Sequence, residues 1–316
     1  ELISAYEYRR LKLIDYPVFA IWVLVTLLTI GLAKFIEFFT NTKVSINVWT
    51  SPVLKSALRM KNVHMIFIHW TGNNALCLSD THIITKKFYV ILHDEFSYSG
   101  IFHYRRNKYF EPISSQNWII RNSIQFLDSF FKNRKIKTIK IIKHLNFIAP
   151  STYIADRLKS EKAFYDLNVR IVLNITDIKL SDEIKNTSTN TSNCKTLPII
   201  LFGCPGGLSN YIKGGDLITE IIQQLEKLKF ACEIKIFGCT QPNFRGNYVR
   251  CQSVGFIKSR EMMANIYKNA SVSLVLSRNE AFGLVALESI SCGIPVVCFS
   301  DLSFEDFIKH LHNGYV

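Results

Sequence analysis

Closely spaced cysteine pairs are missing from this chain of 316 residues. No two of its eight cysteines form a C-x-x-C pair, the spacing that zinc sites and redox motifs use. Several of them stand in apolar runs instead. The pattern argues against a disulfide scaffold or a zinc site, and it is typical of reduced, partly buried thiols in a cytosolic protein. The cysteines are Cys77, Cys194, Cys204, Cys232, Cys239, Cys251, Cys292 and Cys298.

Acidic side chains are scarce relative to basic ones. The 25 Asp and Glu residues stand against 38 Lys and Arg residues, which gives a formal net charge of +13 and a pI near 9.3. Such a balance favours anionic partners, namely phosphate groups, an anionic membrane surface or nucleic acid. No recognised nucleic-acid-binding motif accompanies the charge, so we do not expect nucleic acid as a partner. The hydrophobic content of 48% can build a sizeable core in one large or two ordinary domains.

The most informative stretch is Ser271 to Ser300, SVSLVLSRNEAFGLVALESISCGIPVVCFS. Val272 to Leu276 is short, apolar and rich in β-branched residues, which predicts a buried strand. Gly283 to Cys292 has apolar residues at helical spacing, and Gly293 stands where a left-handed C-cap belongs. Val296 to Phe299 predicts a second buried strand. Strand, helix and strand in this order predict a parallel pair in an α/β domain.

Two glutamates frame the start of the predicted helix. On one helix, Glu280 and Glu288 would lie about 80° apart around the axis, so we place Glu280 on the loop and Glu288 on the second turn. The helix N-terminus would then point into the crevice at the strand ends, where its N–H groups and positive dipole end suit a diphosphate. A carboxylate on each side could accept hydrogen bonds from sugar hydroxyls.

The string E-A-F-G-L-V-A-L-E, followed by S-x-x-C-G-I-P-V-V, resembles the E-x7-E signature of the family 4 glycosyltransferases. The resemblance implies the α/β GT-B architecture, in which two Rossmann-like domains face each other across a cleft. It also implies sugar transfer from a nucleotide-sugar donor with retention of anomeric configuration. Glu280 would bind the sugar hydroxyls and Glu288 the ribose, while the backbone N–H groups of Phe282, Gly283 and Leu284 would bind the diphosphate.

The first half of the chain holds a second set of candidate residues. Val63 to His69 and Phe88 to Leu92 predict parallel strands, whose carboxyl ends are where α/β proteins bind ligands. The phrases FIHW and YVILHDEFSYSGIFHY resemble one branch of the same family, the colanic-acid and exopolysaccharide transferases. The resemblance implies that His93 contacts the donor sugar, and it places Asp94 beside it in the donor site. His103 is a further candidate, and the alternative for either histidine is a hydrogen-bonded core residue.

One long apolar run stands near the N-terminus. Pro17 to Ala33 carries no charge over 17 residues, which is at the short edge of what can span a bilayer. A membrane span here would divide a Rossmann-like domain, so we prefer a buried strand and helix. The alternative, a helix that dips into the membrane face, stays open.

A polar segment divides the sequence into two predicted domains. Residues 181–196 are rich in Asn, Ser and Thr, a composition typical of a linker. We expect an N-terminal, acceptor-side Rossmann-like domain over residues 1–180 and a C-terminal donor-binding domain over residues 197–316. The latter opens with a strand that ends at Gly203, a further donor-site candidate, and a glycine-rich loop that carries Lys213. Such a loop before a helix can hold phosphates.

The resemblance assigns the catalytic work to His93, Lys213 and Glu280. Lys213 matches the lysine of the family's R-x-x-K-G pattern, although no arginine precedes it here. With the helix N-terminus it would stabilise the departing nucleoside diphosphate. His93 would orient the sugar after domain closure. Neither a metal nor another cofactor is expected.

The expected partners are a nucleotide-sugar donor and a saccharide or lipid-linked acceptor of cell-surface polysaccharide synthesis, with an anionic membrane surface as a further partner. The expected location is the cytoplasm, at the inner membrane face. Two alternatives stay open, an inactive membrane-associated remnant and a nucleotide-sugar epimerase on the same fold. We also expect a fragment that lacks the family's first strand and its C-terminal end, because residues 1–16 resemble the helix that follows that strand.

Overall fold

Parallel β-strands with intervening helices make up the computed structural model, which describes residues 16–59, 63–69, 71–83, 86–142, 144–178, 197–240 and 243–316. The chain forms two compact units. Unit 1 comprises Glu1–Arg106, Glu111–Pro150 and Ile154–Ile171, and unit 2 comprises Asn107–Phe110, Ser151–Tyr153 and Val172–Val316. The predicted linker and the predicted helix at residues 1–16 lie outside the described residues, apart from Tyr16.

Unit 1 contains a sheet of four parallel strands in the order β1-β2-β3-β4. Its strands are β1 (Met65–Ile68), β2 (Lys87–Ile91), β3 (Leu145–Ala149) and β4 (Val169–Ile171). Its helices are α1 (Tyr16–Glu37), α2 (Pro52–Leu58), α3 (Trp118–Ile141) and α4 (Thr152–Lys159). The α3 helix begins after Asn117, whose side chain accepts hydrogen bonds from the backbone N–H groups of Ile119 and Ile120 as an N-cap. The strands predicted at Val63 to His69 and Phe88 to Leu92 are confirmed as β1 and β2.

The apolar run near the N-terminus is a single continuous helix, α1, and the prediction of a buried strand and helix is wrong. Over Pro17–Glu37 the helix is long and apolar enough to cross a membrane. Only 17% of its most apolar stretch is buried inside the protein. Pro17 stands in the first turn, where proline is tolerated, and no later proline interrupts the helix. A run that is apolar on every side carries no periodicity, so the sequence does not show which side faces the protein.

Unit 2 contains a sheet of seven strands in the order β11-β10-β9-β5-β6-β8-β7, parallel except for the short β7 at one edge. Its strands are β5 (Ile199–Gly203), β6 (Cys232–Phe237), β7 (Phe244–Arg245), β8 (Val249–Gly255), β9 (Val272–Val275), β10 (Val296–Cys298) and β11 (Gly314–Tyr315). Its helices are α5 (Leu217–Lys227), α6 (Arg260–Lys268) and α7 (Leu284–Ser291). Buried residues of β5, β6 and α5 form one core cluster, which includes Phe202, Ile234 and Ile218.

The predicted strand, helix and strand between Ser271 and Ser300 are confirmed as β9, α7 and β10. The two strands pair in parallel, and β9 also pairs in parallel with β5. The helix ends as predicted, since Gly293 adopts φ 76° in the left-handed region. The N–H of Gly293 donates to the carbonyl of Ile290 at 2.9 Å, and the N–H of Ile294 donates to the carbonyl of Ser289 at 3.0 Å.

Candidate active site

Two loops at the carboxyl ends of neighbouring strands form the centre of the candidate site in unit 2. One loop follows β5 and contains the short 3-10 helix Tyr211–Lys213. The other follows β9 and carries Glu280. Because β5 and β9 pair in parallel, both loops lie at the edge of the sheet where α/β folds bind ligands. The fold thereby brings together Lys213 and Glu280, two predicted site residues that stand 67 positions apart.

Lys213 and Glu280 form an ion pair. The Nζ atom of Lys213 donates to Oε2 of Glu280, and the hydroxyl of Ser277 donates to the same oxygen at 3.3 Å. The exposed fractions of the two side chains are 27% and 14%, so solvent screens the pair only in part. A lysine held in this way is positioned in advance for an anion that enters the edge of the sheet, and it needs little reorganisation to bind one.

Arg278, which was not a candidate from the sequence, links the two loops through hydrogen bonds. Its guanidinium donates to both carboxylate oxygens of Asp216, at 2.6 and 2.7 Å, and to the carbonyl of Tyr211 at 2.6 Å. It also lies 3.9 Å from the centre of the Tyr211 ring. The hydrogen bond from Arg278 lowers the pKa of Asp216 despite some burial. The one available signal in the sequence was a charged residue directly after a buried strand.

Gly283 sets the start of α7 next to Glu280. It adopts φ 94°, and a Cβ atom at this position would lie 2.3 Å from Cε1 of Phe304 and 3.5 Å from Cγ of Glu280. Only glycine fits such a backbone and such a contact. The carbonyl of Gly283 accepts the N–H groups of Ala286 at 3.0 Å and Leu287 at 3.1 Å. The preceding N–H groups, those of Phe282, Gly283 and Leu284, have no partner within the helix.

Glu288 stands on the second turn of α7, where we predicted it. Its Oε2 atom accepts the hydroxyl of Tyr267, a fully buried residue of α6, at 2.8 Å. Partial burial raises the pKa of Glu288, and the hydrogen bond from Tyr267 opposes this only in part. The carboxylate is therefore held in a fixed orientation by a neighbouring helix. Tyr267 is a second residue of the site that the sequence analysis did not identify.

Gly203 ends β5 in the predicted place. A Cβ atom there would lie 2.5 Å from Cζ of Phe237 in the neighbouring strand β6. Close packing of the two strands explains why the residue is glycine. Its part in donor binding stays a prediction.

The predicted histidine of unit 1 forms a pair with a second histidine. Nε2 of His93, after β2, lies 3.0 Å from Nδ1 of His69, after β1, and the two rings stack with centroids 5.3 Å apart. Both side chains are exposed. Partial desolvation and the neighbouring His69 lower the pKa of His93, while Asp94 opposes them. A histidine with a lowered pKa is neutral near pH 7 and able to accept or donate a hydrogen bond.

Asp94 and His103 belong to a hydrogen-bonded chain within unit 1. Oδ2 of Asp94 accepts from Nδ1 of His103 at 2.5 Å, and Oδ1 accepts the N–H of Phe96 at 2.9 Å. Nε2 of His103 lies 2.8 Å from the hydroxyl of Ser45. With an exposed fraction of 2%, His103 is a hydrogen-bonded core residue, the alternative left open from the sequence. The donor-site role of Asp94 stays a prediction.

Across the described residues, no three His, Cys, Asp or Glu side chains come together in a group that could hold a metal ion. Whether the reaction needs a metal stays a matter of prediction.

Comparison with known proteins finds similarity to one enzyme family over part of the chain. Residues 203–316 match the glycosyl transferases group 1. The matched range contains both loops, α7, Lys213, Glu280 and Glu288. This match and the curated relatives agree with the prediction of a glycosyltransferase.

The curated relatives align over short stretches. A D-inositol 3-phosphate glycosyltransferase of Geodermatophilus obscurus is 57% identical over 37 residues, which are 12% of this chain and 8% of the relative. An uncharacterized glycosyltransferase of Methanocaldococcus jannaschii is 39% identical over 61 residues, 19% of this chain and 15% of the relative. The alignments thus span less than a fifth of either relative.

Solved structures resemble the chain over most of its length. Sucrose-phosphate synthase from Thermosynechococcus elongatus has a TM-score of 0.54 at 15% identity, covering 83% of this chain and 62% of that one. A glycosyltransferase from Rickettsia africae has a TM-score of 0.51 at 14% identity, covering 83% and 64%. The pneumococcal O-GlcNAc transferase GtfA has a TM-score of 0.50 at 16% identity, covering 84% and 48%. The predicted α/β GT-B fold is confirmed.

Proposed function

We propose that this protein is a retaining family 4 glycosyltransferase of the colanic-acid and exopolysaccharide branch. It moves a sugar from a nucleotide-diphospho-sugar to a saccharide or lipid-linked acceptor in cell-surface polysaccharide synthesis, in the cytoplasm at the inner membrane face. The observation that carries the proposal is the Lys213–Glu280 ion pair beside the N-terminus of α7. This arrangement offers a cation, a carboxylate and backbone N–H groups to one ligand.

The chemistry follows from the charges of the donor. When the bond between the sugar and the diphosphate breaks, negative charge grows on the departing phosphate oxygens. Lys213 and the N–H groups at the start of α7 stabilise this charge without a metal. Glu280 accepts hydrogen bonds from the sugar hydroxyls, and Glu288, oriented by Tyr267, accepts those of the ribose. His93 keeps the role that the resemblance implies, which is to orient the sugar.

The choice of donor is supported by the ligands of a structural neighbour. The pneumococcal O-GlcNAc transferase was solved with UDP and GlcNAc, so a uridine nucleotide is the first donor base to test. The two alternative functions predict different behaviour. A nucleotide-sugar epimerase would convert the donor without an acceptor, and an inactive remnant would bind the nucleotide without transferring a sugar.

The test is a calorimetric titration of the purified chain with UDP, GDP and ADP. One nucleotide should bind, and both Lys213→Ala and Glu288→Ala should weaken its binding by about ten- to a hundredfold, the range expected for one hydrogen bond to a charged group. Lys309→Ala, an exposed lysine of unit 2 outside the site, is the matched control and should bind as the unmodified chain does.

Two results would contradict the proposal. If none of the three nucleotides binds, the donor site in unit 2 is wrongly assigned. If Lys213→Ala binds as tightly as Lys309→Ala, the lysine does not contact the diphosphate. Once a nucleotide is identified, release of nucleoside diphosphate from the donor only when a saccharide acceptor is added would separate a transferase from an epimerase and from a remnant.

A further inference from the structure

One face of α1 attaches this helix to unit 1. The side-chain amide of Asn74 donates to the hydroxyl of Thr29 at 2.7 Å and lies 3.4 Å from that of Thr26. Further along the helix, Ala33 and Ile36 are buried in a core cluster with residues of α3. The spacing of these four helix residues, three, four and three positions, places them on one side of the helix. Three of the four residues on the attached face, Thr26, Thr29 and Ala33, are therefore polar or small.

The opposite face of α1 is a continuous apolar stripe open to its surroundings. Its members are Ile21, Leu24, Leu27, Leu28, Leu32 and Phe35, with exposed fractions between 46% and 66%. None of these side chains can form a hydrogen bond. A surface helix of a water-soluble domain has the reverse arrangement, with its apolar stripe inward and polar residues outward. A contiguous apolar surface of this kind marks an interaction site.

The chemistry of the stripe fits lipid better than it fits a protein partner. Protein interfaces are enriched in aromatic residues, Met and Arg and carry regular hydrogen bonds, whereas five of the six stripe residues are Ile or Leu. Lys34, whose side chain is 71% exposed and pairs with Glu37, lies between Leu32 and Phe35 in the chain. A net charge of +13 adds attraction to anionic headgroups. The α3 helix, which shares the core cluster with α1, also exposes Trp118, Phe126 and Phe130.

The attached face decides whether α1 crosses the bilayer or lies along it. Contacts with unit 1 extend from Thr26 to Ile36, about 15 Å of helix length. A crossing helix would carry the attached part of unit 1, with its polar backbone, into hydrocarbon, where unsatisfied groups cost several kcal/mol each. We infer that α1 lies in the membrane–water interface with its Leu and Phe stripe inserted in lipid, and that it holds unit 1 on an anionic membrane. This inference needs no sugar donor, so it can fail or succeed independently of the proposed reaction.

The test is co-sedimentation of the full chain with vesicles of phosphatidylglycerol and phosphatidylcholine. The triple variant Leu24→Gln, Leu28→Gln and Phe35→Gln should lose at least tenfold in vesicle partitioning. The matched control changes three exposed apolar residues that lie elsewhere, Tyr165→Gln, Ile175→Gln and Leu311→Gln, and should bind as the unmodified chain does. Circular dichroism of both variants checks that the fold persists, and the single variant Leu28→Gln serves where the triple variant fails to fold.

Three outcomes would overturn the inference. If the triple variant binds vesicles as well as its control does, the stripe takes no part in membrane binding. A chain that stays in the supernatant and forms a dimer that the triple variant abolishes would make a second copy the occupant. Equal binding to vesicles of pure phosphatidylcholine would show that charge takes no part, against the anionic surface argued above.

Discussion

Glu95 is a carboxylate without exposed surface, and two arginines surround it in unit 1. It accepts hydrogen bonds from Nε of Arg105 at 3.1 Å, from the N–H of Arg105 at 2.6 Å and from Nη2 of Arg157 at 3.2 Å. The hydroxyl of Tyr98 donates to it at 3.2 Å. The group joins the segment after β2 to α4. Removing the carboxylate from such a buried set leaves its positive charges less well compensated, although Arg105 also pairs with Glu161.

The pH dependence of unit 1 should follow from this carboxylate. Burial acts to raise the pKa of Glu95, but Arg157 and Arg105 outweigh it, and the pKa lies below the ordinary 4.5. A depressed pKa means that the carboxylate stabilises the fold above the unfolded-state value, and that this stability is lost as the pH falls through the folded-state value. The urea midpoint, followed by tryptophan fluorescence, should therefore fall between pH 5 and pH 3.

Glu95→Gln is the variant that isolates this effect. It should lower the free energy of unfolding of unit 1 by about 3 kcal/mol at pH 7, because both guanidinium groups lose a buried carboxylate. The variant should also lose the part of the pH dependence that Glu95 causes. Unfolding curves of the variant and the unmodified chain that stay parallel from pH 7 to pH 3 would assign the acid sensitivity to other groups.

Single elements differ in how far the sequence alone predicts them. The strands β5, β9 and β10 and the helix α7 were predictable because short β-branched runs and a terminal Gly-x-Pro define them locally. The α1 helix was predicted wrongly, since an apolar run does not show which side is attached. The link between Arg278 and Asp216 could not be predicted either. It joins residues 62 positions apart through side-chain geometry that no local pattern encodes.

The α7 helix should be sensitive to the residue that precedes it, the N-cap Gly283. Gly283→Ala places a methyl group in the left-handed region and against the ring of Phe304, so it should lower the free energy of unfolding of unit 2 by about 3 kcal/mol. Gly207→Ala is the matched control. Gly207 has a similar φ of 86° but no atom within 4 Å of the added carbon, so backbone strain of about 1 kcal/mol is its whole cost.

Denaturation followed by circular dichroism compares the two glycine variants. Gly283→Ala should also weaken nucleotide binding, because it displaces the start of α7 relative to Glu280. Equal losses of stability in the two variants would show that the ring of Phe304 moves aside freely, and that the contact does not fix the start of the helix.

At the scale of the whole molecule, the tryptophan fluorescence probes lie in only one of the two units. The four tryptophans of the sequence stand at positions 22, 49, 70 and 118, all within the ranges of unit 1. Unit 2 contains the seven-stranded sheet and no tryptophan. Tryptophan fluorescence therefore reports the unfolding of unit 1, whereas far-ultraviolet circular dichroism reports both units. Chains with two units commonly depart from two-state unfolding, and here the departure can be assigned to a unit.

We expect the two probes to give different urea transitions, and the variants to shift them separately. Glu95→Gln should move the fluorescence transition, and Gly283→Ala should move only the part of the dichroism transition that fluorescence does not follow. A nucleoside diphosphate that binds unit 2 should stabilise that second part alone, by about 2.7 kcal/mol at a hundred times its dissociation constant. If both probes coincide and every variant shifts them together, the units unfold as one cooperative body, and a ligand of unit 2 would then protect unit 1 as well.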